Sequence, residues 1–296
     1  MASTPKRAFR KKPDWLRISL PRPSEAEPLL KTVHQFGLET VCREAKCPNA
    51  LDCHARGTAT FMILGAVCTR ACRFCSVTSG QPDVVDITEP ARLALAVESL
   101  GLKHCVITSV DRDDLPDFGA THFADCIRAV RRRNPDCRIE VLTPDFNGRV
   151  ASIETVVAAR PDVYNHNLET VPRLSPSIRP KADYYQSLRL LQFVKMLNPT
   201  MPTKSGIMVG LGETPDEIPP VLRDMREYGI EILTIGQYLQ PTSKHAPVAR
   251  YVPPAEFAEW AELASSIGFA HAYCGPLVRS SFHAEEVFAS ANVAVS

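Results

Sequence analysis

Short apolar runs rich in β-branched residues recur along most of the chain. Six of them predict β-strands, at 60–66, 105–110, 139–142, 163–166, 205–211 and 232–239. Segments of helical periodicity lie between and after these runs, so strands and helices alternate. Alternation of this kind requires parallel strands joined by right-handed crossovers. The pattern therefore predicts an α/β fold, a partial (β/α)6 barrel that is an incomplete relative of the eight-fold barrel.

Apolar residues spaced three or four positions apart predict the helices of this barrel. Three stripes begin at Leu93, Phe123 and Leu190, and each ends at a glycine or an Asn-Pro pair. A fourth helix is expected before Gly229, and the last is expected over about 254–268. These helices would form the outer layer around the strands.

The strand–helix repeat occupies only the middle of the chain. We therefore expect three parts: an N-terminal extension over 1–57, the partial barrel over 58–270 and a C-terminal extension over 271–296. In such barrels the functional residues come from the carboxyl ends of the strands. Both extensions are expected to cover that end, the barrel mouth.

Charge and hydropathy narrow the class of protein. A formal net charge of +1 favours neither a nucleic-acid partner nor a membrane surface, and no apolar run reaches the ~18 residues of a transmembrane helix. The first 22 residues are basic but lack the apolar core of a secretory signal. We expect a cytoplasmic protein, with a mitochondrial one as the alternative. A basic run at 128–133 indicates either a dock for an acidic partner or an exposed helix face.

The placement of cysteine is the most informative feature of the composition. The chain has ten cysteines, and six of them form two trios between residues 42 and 75. Without an export signal, such clustering indicates metal binding rather than a disulfide scaffold. The other four are scattered and are expected to be small apolar residues. They are Cys105, Cys126, Cys137 and Cys274.

The second trio, Cys68, Cys72 and Cys75, follows the first predicted strand with C-x3-C-x2-C spacing. Three thiolates on a [4Fe–4S] cluster leave one iron open to a small molecule. A structural zinc site is the alternative, but it uses four ligands, usually in paired C-x2–4-C halves. The spacing resembles that of the radical S-adenosylmethionine (SAM) enzymes, in which the open iron holds the amino and carboxylate groups of SAM. In that family an aromatic residue in the position of Phe74 packs on the adenine.

The same resemblance implies further contacts to SAM. A glycine-rich segment on the fifth strand is similar to the family's adenine motif, which assigns Met208 and Gly210 to the cofactor. The usual methionine-binding motif after the second strand is absent, and Ser109 and Asp111 stand in its place. Asn165, at the end of the fourth strand, is also assigned to the SAM site. Taken alone, such glycines also mark bulges, and a polar strand end is often a solvated loop.

The first trio, Cys42, Cys47 and Cys53, lies in the N-terminal extension with C-x4-C-x5-C spacing. Radical SAM enzymes in general do not need it. The two trios together resemble the lipoyl synthases, in which the first trio holds an auxiliary [4Fe–4S] cluster and a serine of a C-terminal R-S-S-Y motif is its fourth ligand. This chain has Arg-Ser-Ser-Phe at 279–282, and the resemblance favours Ser281 as that ligand. The phenylalanine removes one hydroxyl and leaves both serines in place.

The resemblance implies a complete activity. It is that of a sulfurtransferase, a lipoyl synthase that inserts two sulfur atoms at C6 and C8 of a protein-bound octanoyl-lysine. Two [4Fe–4S] clusters and SAM are implied as cofactors: the second trio's cluster cleaves SAM to a hydrogen-abstracting radical, and the auxiliary cluster donates the sulfur. No side-chain acid or base is expected to be catalytic.

The resemblance also implies partners. They are octanoylated lipoyl carrier domains (2-oxoacid dehydrogenase E2 subunits and the glycine cleavage H protein), a reductant such as flavodoxin or ferredoxin, and an iron–sulfur cluster carrier. Nucleic acid and membrane are not expected as partners.

Two other interpretations stay open on the sequence alone. One is another two-cluster radical enzyme, such as a methylthiotransferase or a biotin synthase relative, although neither is expected to combine the first trio with Arg-Ser-Ser. The other is a non-catalytic iron–sulfur or zinc-binding scaffold. About eight irons and eight sulfides per chain would indicate two [4Fe–4S] clusters.

Overall fold

The computed structural model describes most of the chain. The described residues are 11–17, 31–41, 49, 53 and 58–281. Three residues named above, Cys42, Cys47 and Phe282, lie outside them.

The strands follow the predicted order along the chain. Their bounds are β1 Glu39–Thr40, β2 Thr58–Ile63, β3 Val67–Cys68, β4 Thr78–Ser79, β5 His104–Ser109, β6 Arg138–Leu142, β7 Val163–Asn165, β8 Thr203–Val209, β9 Ile232–Gln237 and β10 His271–Gly275. Eight of these described strands form one sheet in the order β1-β2-β5-β6-β7-β8-β9-β10, and β3 pairs separately with β4. In the main sheet β1 is antiparallel to β2, and all other neighbours are parallel.

Helices connect the parallel strands, as crossovers require. Their bounds are α1 Glu89–Ser99, α2 Ala120–Arg133, α3 Val150–Ala158, α4 Ser175–Ile178, α5 Tyr184–Leu197, α6 Ile218–Glu227 and α7 Pro254–Ser266. Local sequence sets several of their ends: Pro90 lies in the first turn of α1, and the Asp183 carboxylate accepts from the amide of Gln186 to cap α5. None of the described helices is both long enough and apolar enough to span a membrane.

The core lies between the sheet and the helices. Because side chains alternate across a strand, every second residue of β5 faces the helices. Cys105 and Ile107 pack there in one hydrophobic core with Leu93 of α1 and Phe123 of α2. On the other face of β5, Thr108 lines the barrel interior.

A buried ion pair fills the interior below the mouth. The Lys204 ammonium lies 3.1 Å from Oε1 of Glu140, and the Asn165 amide donates to the same carboxylate at 3.2 Å. Burial acts to raise the pKa of Glu140, but the charge of Lys204 holds that pKa below its ordinary value. A charge this deeply buried is tolerated only with such partners.

The predicted repeat of six strand–helix units is confirmed, and the sheet extends one strand further. The segment 271–275, which the sequence analysis assigned to the C-terminal extension, forms β10 and pairs in parallel with β9. Helix α3 also went unrecognised in the sequence. Within the described residues β1 and β10 are the two edges of the main sheet, so the barrel is open between them.

Candidate active site

A cavity of about 560 Å³ lies at the carboxyl ends of the strands. This volume falls in the range of pockets that hold small molecules and cofactors. Residues that follow β2, β5, β6, β7 and β9 contribute to its wall, and β8 contributes residues from within the strand. Cys68, Cys72 and Cys75 are among them, so the structure brings the predicted second trio to the barrel mouth.

A left-handed turn leads from β2 into the cysteine segment. Leu64 and Gly65 have φ angles of 68° and 93°, and the Leu64 amide donates to the Glu89 carboxylate at 2.9 Å. Nε2 of the buried His122 donates to the same carboxylate at 2.7 Å. Left-handed backbone costs a non-glycine residue roughly 1–2 kcal/mol, and these contacts from α1 and α2 offset that cost.

Hydrogen bonds from α4 and from the loop after β9 fix the segment that ends at Cys75. The amide of Arg73 donates to the carbonyl of Ile178 at 2.9 Å, and the carbonyl of Arg73 accepts from the amide of Ala246 at 2.8 Å. Nε2 of His245 donates to the carbonyl of Cys75 at 2.8 Å. The cysteine segment is therefore held by α4 and by the loop after β9, which its spacing alone does not indicate.

Main-chain amides also orient the sulfur of Cys68. The N–H groups of Arg70 and Asp111 approach it at 3.4 Å and 3.3 Å. Burial raises the pKa of Cys68 to about 11 and that of Cys72 to about 12, and it also raises the pKa of Cys75. These thiols become thiolate ligands when a metal centre displaces their protons. In the described part of the chain no three Cys, His, Asp or Glu side chains are placed to share a single metal ion.

The end of β5 and the segment after it contribute Ser109 and Asp111, and both line the cavity. The Ser109 hydroxyl is buried and has no hydrogen-bond partner among the described residues. Buried hydroxyls are normally paired, so this one is suited to a ligand. The Asp111 carboxylate instead faces Arg70 at 3.3 Å and the Cys68 sulfur at 3.6 Å, and burial raises its pKa.

One wall of the cavity is apolar and aromatic. Phe74 and Met208, two of the residues that the resemblance assigns to the adenine, pack in a small cluster with Tyr238, and all three line the cavity. The Tyr238 hydroxyl donates to the carbonyl of Ala246 at 2.8 Å, which fixes the ring. A flat, largely apolar surface of this kind is suited to an aromatic base.

Two glycines of the fifth predicted strand have different roles. Gly206 lines the cavity, and a Cβ there would lie 2.2 Å from Oγ1 of Thr234. Gly210, which the sequence analysis assigned to SAM, is not among the lining residues. It has a φ of 96°, and a Cβ there would lie 2.6 Å from the carbonyl oxygen of Arg250. Its amide donates to the Glu213 carboxylate at 2.5 Å, so Gly210 builds the turn that follows β8.

Asn165 lies below the cavity rather than on its wall. Its amide is used in the buried contact with Glu140, and it is not among the lining residues. Asn167 lines the cavity instead. Its Nδ2 donates to Glu169 at 3.1 Å, while its Oδ1 is buried without a partner among the described residues. Of these two asparagines, only Asn167 lines the cavity.

The wall also has charged residues that were not among the predicted site residues, and Glu169 and Arg179 are two of them. Burial raises the pKa of Glu169, and the nearby Arg179 opposes that rise. Arg179 donates to the carbonyl of Leu168 at 3.1 Å. One acidic and one basic side chain on the same wall suit a ligand that carries both an ammonium and a carboxylate group. Glu169 lies in a polar run after a buried strand, in a segment that resembles the family's fourth-strand end, whereas nothing in the sequence indicated Arg179.

His166 lines the cavity, but its ring is used within the fold. Nδ1 lies 2.8 Å from the carbonyl of Thr143, and Nε2 lies 2.9 Å from Oγ of Ser187. Because a carbonyl only accepts, Nδ1 carries the proton. Burial lowers the pKa of His166 to about 4, so the ring is neutral at pH 7. It joins the ends of β6 and β7 to α5.

Both extensions reach the mouth. Lys12, Leu16 and Val41 from the N-terminal side line the cavity, and so do Arg279 and Ser280 from the C-terminal side. Ser281, the predicted ligand, follows directly and is not itself a lining residue.

A hydrogen bond joins described residues of these two extensions. The amide of Asn49, which lies between two cysteines of the first trio, donates to the carbonyl of Leu277 at 2.5 Å. The main-chain amide of Cys53 donates to the carbonyl of Asn49 at 3.0 Å. A Cβ on Gly236 would lie 2.1 Å from the carbonyl oxygen of Val278, so the C-terminal segment crosses directly over β9. The described member of the first trio is thus linked to the segment that leads to the two serines.

The basic run on α2 forms ion pairs within the chain. Arg131 lies 2.6 Å from Asp162, and Arg133 lies 2.6 Å from Glu98. The run belongs to an exposed helix face that is paired with its own neighbours, which is the second of the two expectations stated for it.

Comparison with known proteins first identifies the superfamily of this chain. The Radical SAM superfamily model matches residues 62–225, which is more than half of the chain. Methylornithine synthase (PylB) has a similar fold, with a TM-score of 0.55 at 12% identity over 71% of this chain and 63% of that chain. SuiB from Streptococcus suis gives 0.56 at 12% identity over 90% and 57%. The chain is a member of the radical SAM superfamily.

Closer relatives narrow the class. The chain is 56% identical to the lipoyl synthase of Aeromonas hydrophila over 277 residues, 93% of this chain and 86% of the relative. It is 54% identical to the lipoyl synthase of Haemophilus influenzae over 283 residues, 95% and 88% of the two chains. The chain belongs to the lipoyl synthase family.

Proposed function

We propose that this protein inserts two sulfur atoms at C6 and C8 of an octanoyl group carried on a lysine of another protein, in a SAM-dependent radical reaction. One observation carries the proposal. The loop with the second cysteine trio and the C-terminal segment with Arg279 and Ser280 line the same cavity. A radical enzyme that transfers no sulfur needs only the first of these two segments.

The residues of the wall fit SAM and a [4Fe–4S] cluster. Three thiols lie together at the mouth, and a buried hydroxyl on Ser109 and a buried amide oxygen on Asn167 lack partners within the described residues. Glu169 and Arg179 provide both signs of charge beside them. When bound, the cluster and SAM supply a hydrogen-abstracting radical, and the auxiliary cluster supplies the sulfur.

The second trio and its surroundings bind and orient SAM. We assign Cys68, Cys72 and Cys75 to the cluster that holds it. Phe74 and Met208 provide the wall for the adenine. Ser109 and Asn167 face the polar end of the cofactor, with Asp111 beside the Cys68 sulfur.

The first trio and the C-terminal serine hold the auxiliary cluster in this proposal. Its ligands are Cys42, Cys47, Cys53 and Ser281. The link from Asn49 to Leu277 supports it, because that hydrogen bond joins the two segments that must share the cluster. A serine alkoxide is a harder ligand than a thiolate and binds iron less persistently, which suits a cluster that gives up its sulfur.

The acyl chain requires apolar surface. The cavity has this on the side of β2, β5 and β6, where Met62, Val110 and Leu142 line it, and Leu16 and Val41 add to it from the N-terminal side. Burial of each methylene contributes about 0.8 kcal/mol. No side-chain base removes a proton from an alkane carbon, so these residues position the chain and exclude water.

The partners follow from this activity. We propose octanoylated carrier domains as the protein substrate, namely E2 subunits of 2-oxoacid dehydrogenases and the glycine cleavage H protein. A flavodoxin or ferredoxin would supply electrons, and an iron–sulfur cluster carrier would renew the auxiliary cluster. We place the reaction in the cytoplasm.

The direct test is anaerobic incubation of reconstituted protein with SAM, a reductant and an octanoyl-lysine peptide, with products identified by mass. The expected product is heavier than the substrate by two sulfur atoms less the hydrogens they replace. Protein with all three cysteines of the second trio changed to Ala should keep about four irons and cleave no SAM.

The reverse variant separates the two roles. With Cys42, Cys47 and Cys53 changed to Ala, SAM cleavage and hydrogen abstraction should continue without formation of a carbon–sulfur bond. A sulfur-containing product from this variant would rule out the auxiliary cluster as sulfur donor, and SAM cleavage by the first variant would rule out the assignment of the second trio.

A further inference from the structure

Arg70 lies between two cysteines of the second trio, yet its side chain points away from solvent and is only 5% exposed. Its guanidinium donates to both oxygens of Asp113, at 2.8 Å and 3.0 Å. It also donates to Asp145 at 2.7 Å and lies 3.3 Å from Asp111. One guanidinium therefore faces three carboxylates.

These contacts connect three loops at the barrel mouth. Arg70 follows β3, Asp111 and Asp113 follow β5, and Asp145 follows β6. The backbone of Arg70 is fixed as well, since its carbonyl accepts from the Ser79 hydroxyl at 2.8 Å. The amide of this same residue approaches the Cys68 sulfur at 3.4 Å. The position of the side chain thus sets the backbone that orients the first ligand of the trio.

The charges around Arg70 do not balance without it. The Asp145 side chain is 0% exposed, and no other cation is within ion-pair distance of it among the described residues. The Asp113 carboxylate has a second partner in Lys181, but only at 3.7 Å and with that lysine 59% exposed. The Asp111 carboxylate lies 3.6 Å from the Cys68 sulfur. Removal of Arg70 would leave this group of carboxylates facing a set of thiolate ligands.

We propose that Arg70 is a positioning residue for the second cysteine trio. It holds the 68–75 loop in a conformation that accepts the cluster before any cluster is present, and it neutralises the carboxylates beside Cys68, which keeps the reduction potential of the bound cluster accessible. The proposal rests on the assignment of this trio to a cluster. Lysine would not replace the arginine, because only the planar guanidinium engages Asp113 through two bonds while still reaching Asp145.

The first test uses cluster-free protein and needs neither SAM nor substrate, so it can fail independently of the proposed function. We expect Arg70→Lys to speed hydrogen exchange of the amides of Arg73 and Cys75 at least tenfold. Arg112→Lys is the matched control. Arg112 is 3% exposed and makes the same two-bond contact, with Asp114 at 2.9 Å and 2.8 Å, but it bonds to no residue of the 68–75 loop. Unchanged exchange in Arg70→Lys, or equal acceleration in both variants, would overturn the positioning role.

The second test measures how the charge of Arg70 affects the reduction potential of the cluster. In protein whose first trio is changed to Ala, a redox titration followed by electron paramagnetic resonance reports the remaining cluster alone. Arg70→Met should move its potential to more negative values, and Arg70→Met with Asp113→Asn should recover part of the shift. Asp113→Asn alone, at a side chain 25% exposed, should move the potential the other way and does not depend on whether Arg70→Met folds. Potentials that do not respond to Asp113→Asn would remove the electrostatic role.

Discussion

The side-chain amide of Asn49 and the main-chain carbonyl of Leu277 are 2.5 Å apart, although 228 positions separate them in sequence. Asn49 lies among the cysteines of the first trio, and Leu277 lies just before the Arg-Ser-Ser segment. Spacing rules relate residues that are close in sequence, so they say nothing about such a pair. The hydrogen bond gives a physical reason why a cysteine trio and a distant serine could share one cluster.

This relationship predicts a specific defect in Asn49→Ala. Loss of one hydrogen bond costs about 1 kcal/mol net, so the two extensions should separate more often. We expect a several-fold drop in sulfur insertion and in auxiliary cluster content, with SAM cleavage near the wild-type rate. Asn134→Ala is the control, because the Asn134 amide also donates to a main-chain carbonyl, that of Ala94 at 3.0 Å, away from the mouth. Equal sulfur yields from both variants would contradict the prediction.

Gly210 and Gly212 form a matched pair for the turn after β8. Both have positive φ, at 96° and 117°, but a Cβ on Gly210 would lie 2.6 Å from the Arg250 carbonyl oxygen, whereas the nearest atom to a Cβ on Gly212 is at 3.9 Å. Gly212→Ala should cost roughly 1–2 kcal/mol for the backbone conformation alone. Gly210→Ala should cost roughly 1–3 kcal/mol more, because the backbone must shift. Thermal unfolding of cluster-free protein measures both, and equal losses would show that the clash is relieved cheaply.

Phe74 is expected to contribute to SAM affinity through its ring. Stacking of an aromatic side chain on a base contributes roughly 1–3 kcal/mol, so Phe74→Ala should weaken SAM binding by about five-fold to 150-fold. Tyr238→Phe serves as the control, since it keeps an aromatic ring in the same wall and removes only the hydroxyl that bonds to Ala246. Equilibrium dialysis of anaerobic protein measures the two dissociation constants. Equal affinity of Phe74→Ala and wild type would place the adenine elsewhere.

His166 should make stability fall in mild acid. Burial lowers its pKa in the folded protein to about 4 from an ordinary value of 6.5, so protonation favours the unfolded chain. The contribution of the neutral ring to the free energy of unfolding is complete above pH 6.5. It declines by up to about 3 kcal/mol as the pH falls from 6.5 towards 4. His166→Gln keeps a donor for Thr143 and an acceptor for Ser187 without a titrating group. Denaturant unfolding of cluster-free protein at pH 7.5 and 5.0 should show a smaller difference in the variant, and identical pH dependence would contradict this.

Much of the fold followed from local pattern, and the exceptions have physical causes. Helix α3 (Val150–Ala158) is rich in β-branched residues, which individually favour strands, and its helical state comes from the crossover that β6 and β7 require. Strand β10 (His271–Gly275) has no β-branched residue, and its pairing with β9 is a tertiary contact. Propensity alone does not indicate either element.

The depth of a side chain within the barrel was the main property of the site that the sequence could not predict. Asn165 and Asn167 both belong to one polar run, and side-chain alternation places them on the same face. Only the structure shows that Asn165 is deep enough to reach Glu140 while Asn167 reaches the cavity. The cysteine trio and Phe74 were predictable because they are close in sequence and their spacing is characteristic. Arg179 follows a short helix that is about 100 positions away from them in sequence, so no spacing rule relates it to the trio.

The prediction for Ser281 is the one that experiment can contradict most easily. Ser280 lines the cavity and Ser281 follows it in the same turn, so the two hydroxyls compete for the role of fourth ligand to the auxiliary cluster. Ser281→Ala should leave SAM cleavage nearly intact and sharply lower sulfur insertion. Ser281→Cys should restore a ligand that holds iron more firmly than an alkoxide, so that insertion is again poor.

Ser280→Ala is the matched control for both substitutions. It removes a hydroxyl group from the adjacent serine. General damage to the C-terminal segment would therefore lower sulfur insertion equally in Ser280→Ala and Ser281→Ala. The yield of dithiolane per chain, together with SAM cleavage, is measured for all three variants. Loss confined to Ser280→Ala would move the ligand one residue upstream, towards the side chain that already lines the cavity. Wild-type yields from all three would remove serine ligation altogether and leave the auxiliary cluster with three protein ligands.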